Sequence, residues 1–85
     1  MARLITHEEV RSVVTMADAI AAMEAAFREE GEGGATLPPR INMKAGGGWL
    51  RVGPVVLAHS GWMGFKAMNL CPGIGVRYQV HLYEV

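Results

Sequence analysis

The sequence predicts an α+β fold in which two N-terminal helices pack against one face of a mixed or antiparallel β-sheet. Apolar residues recur at helical spacing only in residues 1–33, whereas strand-like runs separated by glycine- and proline-rich turns fill residues 34–85. A chain of 85 residues has room for one small domain or for part of a larger one. With 51% hydrophobic and 19% charged residues, the composition excludes an intrinsically disordered protein.

The first helix is predicted by a capping signal. Thr6 stands three residues before Glu9, which is the spacing of a capping box, and the helix is expected to end near Val14. The preceding pair Leu4-Ile5 is expected to begin a strand.

The second helix is predicted by the same signal and by a clear apolar stripe. Thr15 stands three residues before Asp18, and the helix is expected to stop in the glycine-rich segment at residues 31–34. One face carries apolar residues at helical spacing and is expected to be core: Met16, Ile20, Met23 and Phe27.

The remaining chain predicts a hairpin followed by further strands. Pro38 and Pro39 are stiff and extended, and they hold Arg40 on a restrained backbone. Pro54 is expected at a sheet edge or a bulge. The expected strands cover residues 40–45, 49–58 and 63–70, with turns at 46–48, 59–61 and 71–75, and a last, half-buried strand alternates over residues 77–82.

Charge and cysteine content limit the partners and the compartment. Basic and acidic residues balance at eight each, which argues against a nucleic-acid or membrane partner, but the two halves differ. Residues 1–33 carry three basic and seven acidic side chains, whereas residues 34–85 carry five and one, so the second half favours an anion. The single cysteine permits no internal disulfide, and no leader or membrane-spanning run is seen, so a cytoplasmic protein supported by oligomerisation is expected.

Lys66 is the strongest candidate for a functional residue. It is the only charged residue between Val52 and Gly75. One interpretation is a desolvated lysine that binds a carboxylate or transfers a proton. The other is a lysine whose stem covers apolar surface on the solvent side of a strand while its ammonium stays in water.

Arg40 is the second candidate. Its restrained backbone suits a guanidinium that holds a carboxylate or phosphate through two parallel hydrogen bonds, although an exposed surface arginine is equally compatible with the sequence. Arg51 and Lys44 flank the glycine turn and are expected on a solvated strand face.

Other motifs carry no chemistry. The glycines at residues 46–48 and 73–75 do not match a dinucleotide-binding motif and are expected to be turns. The three histidines lack metal-ligand spacing, and Cys71 is expected to be a small buried residue. No catalytic, cofactor-binding or metal-binding residue is therefore assigned.

The order and spacing of several short segments resemble the opening of the ornithine cyclodeaminase and mu-crystallin family. These segments are Leu4-Ile5-Thr6, Met16-Ala17-Asp18-Ala19-Ile20, Ala25-Ala26-Phe27-Arg28, Pro38-Pro39-Arg40, Arg51-Val52 and Gly64-Phe65-Lys66. The resemblance implies an NAD-dependent enzyme acting on an amino acid or imine. It also implies an incomplete substrate-binding and dimerisation domain, a homodimer, and a Rossmann domain that lies outside these 85 residues.

The same resemblance implies that Arg40 and Lys66 bind the substrate carboxylate. The 85 residues alone are not expected to catalyse a reaction, because no part of the sequence is expected to bind the dinucleotide. The alternative is a stand-alone, non-catalytic module for dimerisation or small-anion binding, left after loss of the Rossmann domain.

Overall fold

The computed structural model describes residues 2–85, which form two helices and one five-stranded antiparallel sheet. The helices are α1 (His7–Val13) and α2 (Met16–Gly31). The strands are β1 (Ala35–Thr36), β2 (Ile41–Ala45), β3 (Gly48–Leu57), β4 (Trp62–Cys71) and β5 (Gly75–Glu84). The predicted α+β class is confirmed, and the sheet is antiparallel throughout.

Both helices begin at the predicted caps. The Thr6 hydroxyl accepts a hydrogen bond from the Glu9 N–H at 3.2 Å. At α2 the box is reciprocal, since the Thr15 hydroxyl accepts from the Asp18 N–H at 3.1 Å and the Asp18 carboxylate accepts from the Thr15 N–H at 3.0 Å. These bonds, the one from the Thr15 N–H foremost, hold the pKa of Asp18 below its ordinary value. The predicted strand at Leu4-Ile5 is wrong, because the segment has no strand beside it to complete a ladder.

Strand β3 is the centre of the sheet. One of its edges pairs with β4 over nearly its whole length, and β5 continues the sheet beyond β4. The other edge is shared, because β2 pairs with Gly48–Val52 and β1 pairs with Val56 and Leu57. Pro54 lies between the segments of β3 that pair with β1 and β2. Its missing N–H therefore interrupts neither ladder, and Pro54 occupies an edge position locally, as predicted.

The register divides the side chains between two faces. Directly paired residues share a face, and alternate residues along a strand return to it. One face, called here the groove face, carries Asn42 and Lys44 of β2, Trp49, Arg51 and Gly53 of β3, Lys66 and Met68 of β4, and Tyr78 and Val80 of β5.

Burial is shallow throughout the described chain. None of its apolar side chains is fully buried, and the α2 stripe predicted as core is exposed, with Met16 at 76% and Phe27 at 63%. Strand β5, predicted to be half-buried, is exposed on both faces, with Val80 at 62%. The physical reason is the lack of a facing layer: α2 meets the sheet only at β1 and β3, and α1 makes no contact with it. Neither of the two helices has the length and apolarity needed to span a membrane.

Candidate functional site

A groove of about 510 Å³ opens where β2, β3 and β4 meet the segment that leads into β2. Its walls are residues 37–40, Arg51 and residues 53–55 of β3, and Lys66 and Met68 of β4. The groove therefore brings together both residues singled out from the sequence, Arg40 and Lys66, with a third cation, Arg51.

Gly53 forms the floor between the two predicted residues. It pairs directly with Lys66 across the β3–β4 ladder. On the other side, Arg40 directly precedes the first β2 pair, Ile41 with Val52, and a Cβ placed at Gly53 would lie 3.8 Å from Arg40 Cγ. Since Gly53 has no side chain, the space between the guanidinium and the ammonium stays open.

The segment that leads into the groove contains two prolines. Residues 37–40 adopt neither helix nor strand, and Pro38 and Pro39 restrict the backbone just before Arg40. The position of Arg40 is thus set by local covalent geometry on one side and by the β2 ladder on the other.

Lys66 is exposed, so the desolvated state considered from the sequence is not found in this chain. Its Nζ lies 5.3 Å from the centroid of the Tyr78 ring, a cation–π contact across the β4–β5 pair. The exposure of Lys66 fits the second interpretation, a lysine on the solvent side of its strand.

Arg51, expected on a solvated strand face, also lines the groove. Its Nε donates to the Asn42 side-chain oxygen at 2.6 Å, and its guanidinium carbon lies 4.7 Å from the centroid of the Trp49 ring. Arg51 is only half-exposed. The alternation of side chains along a strand could have indicated this position, because Arg51 and Gly53 are two residues apart on β3 and so lie on the same face.

The groove carries a positive charge that the described chain does not neutralise. Within residues 2–85 the ion pair found at 4.0 Å or less joins His59 to Glu32, at 3.9 Å, and neither belongs to the groove. Arg40, Arg51 and Lys66 therefore face the groove without a carboxylate partner from this part of the chain, which favours entry of an anion.

A second polar cluster, at the C-terminal end of α2, is built in the opposite way. Glu29 is 5% exposed, and its carboxylate accepts hydrogen bonds from the His59 N–H at 2.6 Å, the Ser60 N–H at 3.1 Å and the Ser60 hydroxyl. The Ser60 hydroxyl is the main cause that lowers the pKa of Glu29, and burial opposes it. Glu29 holds α2 against the β3–β4 turn, a contact that no local sequence pattern predicts.

The remaining motifs fall into turns or single positions. The glycines at residues 46–48 and 73–75 lie in or at the hairpins that join antiparallel strands, as predicted, and neither group opens a helix. The described residues thus offer no place of the Rossmann type for a dinucleotide. Cys71 is a half-buried free thiol at the end of β4. In the part of the chain that the structure covers, no group of three His, Cys, Asp or Glu side chains is placed to hold a metal.

The fold and the groove together define an α+β segment with a small anion-attracting site on an antiparallel sheet. No protein-family profile matches the chain. Alanine dehydrogenase from Archaeoglobus fulgidus is 39% identical over 70 residues, which is 82% of this chain and 21% of that protein.

Two solved structures share the fold. An archaeal alanine dehydrogenase, solved as a dimer with bound NAD, superimposes with a TM-score of 0.82 at 34% identity, covering 94% of this chain and 26% of its own. A probable ornithine cyclodeaminase from Bordetella pertussis Tohama I superimposes with a TM-score of 0.81 at 26% identity, covering 89% and 24%.

These likenesses confirm the predicted resemblance to a segment of the ornithine cyclodeaminase family. The chain spans only about a fifth to a quarter of the length of the relatives that it matches. Its fold is accordingly that of an incomplete domain.

Proposed function

We propose that this chain is the N-terminal, substrate-binding segment of an NAD-dependent enzyme of the ornithine cyclodeaminase class, in which Arg40 and Lys66 bind the carboxylate of an amino or imino acid. The observation that carries the proposal is that Arg40 and Lys66 line one groove, on either side of Gly53. The similarity to alanine dehydrogenase and ornithine cyclodeaminase supports the class of substrate.

The chemistry of the two side chains suits this role. A guanidinium presents two parallel N–H groups that match a carboxylate, and an ammonium adds a compact charge from a second direction. Arg40 and Lys66 lie on opposite sides of Gly53, and this arrangement supports the proposal that a carboxylate above the glycine is bound by both.

The reaction itself requires groups outside the described residues. NAD supplies or accepts a hydride in such enzymes, and nothing in residues 2–85 fits the dinucleotide. This chain therefore contributes substrate binding, while the cofactor domain belongs to the rest of the enzyme. A homodimer and a cytoplasmic location are part of the same proposal, and the dimeric archaeal relative supports the homodimer.

The first test compares two lysines on one face of the sheet. Lys66→Met is expected to keep the fold and to weaken binding of alanine or pyruvate by about tenfold or more, because one charge-assisted hydrogen bond is lost. Lys44→Met is the matched control, since Lys44 lies on the groove face outside the groove. Titration of the chain by calorimetry or NMR measures both affinities, and equal affinities in the two variants would contradict the role of Lys66.

The second test removes a geometry while keeping a charge. Arg40→Lys is expected to weaken carboxylate binding several-fold, because lysine cannot replace the bidentate fork. Arg77→Lys, on the opposite face of β5, serves as control. Unchanged affinity after Arg40→Lys would identify Arg40 as a surface residue without a part in binding.

A stand-alone binding module is the second candidate function. It is favoured by one observation: the three groove cations and the strands that hold them are all present in these 85 residues. The intact mass of the native product, detected by an antibody against this segment, separates the candidates. A product several-fold heavier than 9.2 kDa supports the enzyme, and a product of that mass supports the module.

A further inference from the structure

We propose that the groove is specific for a short dicarboxylic amino or imino acid, whose second carboxylate is bound by Arg51. The inference rests on the proposed function, because Arg40 and Lys66 are taken to bind the first carboxylate. It adds a substrate class and a specificity residue to that site.

The register gives the groove two positively charged positions. Arg40 and Lys66 flank Gly53, whereas Arg51 lies two residues earlier on the same strand and pairs with Met68. Two residues along a strand span about 7 Å. This backbone spacing is comparable to the length of a short dicarboxylate lying along β3.

Arg51 is held ready for an anion. Asn42 engages its Nε, and Trp49 supports the plane of the guanidinium. The two terminal nitrogens make no hydrogen bond to the part of the chain that the structure covers. Since Asn42 is neutral, it orients the side chain without cancelling its charge, so little rotamer freedom is left to lose when a carboxylate binds.

The balance of charge argues for the same class of ligand. Three cations line the groove, and no acidic residue is among its walls. A monocarboxylate leaves Arg51 uncompensated, and a ligand with a basic side chain places like charges together. A ligand with two carboxylates matches both positions.

The experiment compares glutamate with glutamine, which have nearly the same shape but differ by one negative charge. The chain is expected to bind glutamate at least about tenfold more tightly than glutamine, because the second carboxylate gains a charge-assisted bidentate pair. Arg51→Gln is expected to remove this preference, because it weakens glutamate binding more than glutamine binding. Arg77→Gln, which removes an arginine outside the groove, should leave the preference intact.

A second variant keeps Arg51 but gives its guanidinium a carboxylate partner within the protein. Asn42→Asp places a carboxylate where the amide oxygen now accepts from Arg51 Nε, so the guanidinium is neutralised inside the protein. The preference for glutamate is expected to fall as in Arg51→Gln, with the fold checked by the NMR spectrum of each variant.

The outcomes separate the two proposals. If glutamine and glutamate bind equally to the unmodified chain, or if Arg51→Gln weakens both equally, the second subsite is refuted while the carboxylate site of Arg40 and Lys66 stands. If neither amino acid binds while alanine or pyruvate does, this inference fails alone. If alanine and pyruvate do not bind either, or if Lys66→Met changes nothing, the proposed function fails and this inference fails with it.

Discussion

The two charged clusters in this molecule, Glu29 and the groove cations, differ in whether the protein itself supplies their partners. Glu29 is buried, and its carboxylate accepts three hydrogen bonds from His59 and Ser60. The groove cations have no carboxylate partner among residues 2–85, and Arg51 is held by a neutral amide and an aromatic ring. A charge satisfied within the protein acts on the fold, whereas an oriented but unpaired charge is free to bind a ligand.

Both clusters depend on the same hairpin. Glu29 holds the turn at His59 and Ser60, and the groove lies in the paired middle of β3 and β4, where Gly53 faces Lys66. Because the two clusters lie in different parts of the hairpin, loss of the turn contacts should lower stability without changing which ligand the groove prefers. Changes in the groove should do the reverse.

The largest effect on stability is expected from Glu29→Ala. The N–H groups of His59 and Ser60 and the Ser60 hydroxyl lose their acceptor together, so α2 is released from the sheet. The melting temperature, followed by circular dichroism, is expected to fall by about 5–10 °C. Carboxylate affinity measured well below that temperature should not change, and a parallel loss of binding would show that the two clusters are not separable.

The charge of Glu29 is tested by pH. Because its pKa is lowered in the folded chain, the stability that it provides is complete above the pKa of an exposed glutamate, about 4.3. That contribution declines as the pH falls and is lost once the pH passes through the lower folded-state pKa. Glu29→Gln keeps the shape of the side chain but removes its charge. The free energy of unfolding of this variant should therefore fall less steeply as the pH is lowered. An identical acid dependence in both proteins would assign the effect to other carboxylates.

The next largest effect is expected from Gly34→Ala. A Cβ at this buried glycine would lie 2.6 Å from His59 Nδ1 and 2.8 Å from Glu29 Cγ, so these two side chains must shift and the hydrogen bonds of Glu29 are disturbed. The cost is about 1–3 kcal/mol in the free energy of unfolding, measured by urea titration. Gly31→Ala is the matched control, since its Cβ meets nothing within 4 Å, and it should be neutral or slightly stabilising. Equal stability of the two variants would contradict the close approach at Gly34.

The elements of this fold were predictable because their signals are local. Caps at Thr6 and Thr15 place both helices, and the turns at residues 46–48 and 71–75 separate the strands at nearly the observed positions. Arg40 and Lys66 were singled out as candidates from a proline pair and from a lone charge in an apolar run, and both line the groove.

Pairing and packing were not predictable from the same signals. Arg51 joins the groove only through the register of β3, and Glu29 meets Ser60 across 31 positions of sequence. The apolar stripe with Met16 and Phe27 has the spacing of a core face but is exposed. Amphipathic spacing shows which face of a helix is apolar, but it does not show whether the same chain supplies the surface that covers it.

The smallest effect on stability, with a clear effect on binding, is expected from Gly53→Ala. The added Cβ lies 3.8 Å from Arg40 Cγ, an ordinary contact, so the melting temperature should change by no more than about 2 °C. The methyl group nevertheless stands where the first carboxylate is proposed to lie, so glutamate and glutamine should both bind about threefold to tenfold more weakly. Gly53→Val should weaken them further, because its branches fill the floor between Arg40 and Lys66. Undiminished affinity in the valine variant would move the carboxylate away from Gly53, whereas weaker affinity with the preference for glutamate intact would leave Arg51 as the residue that selects the second charge.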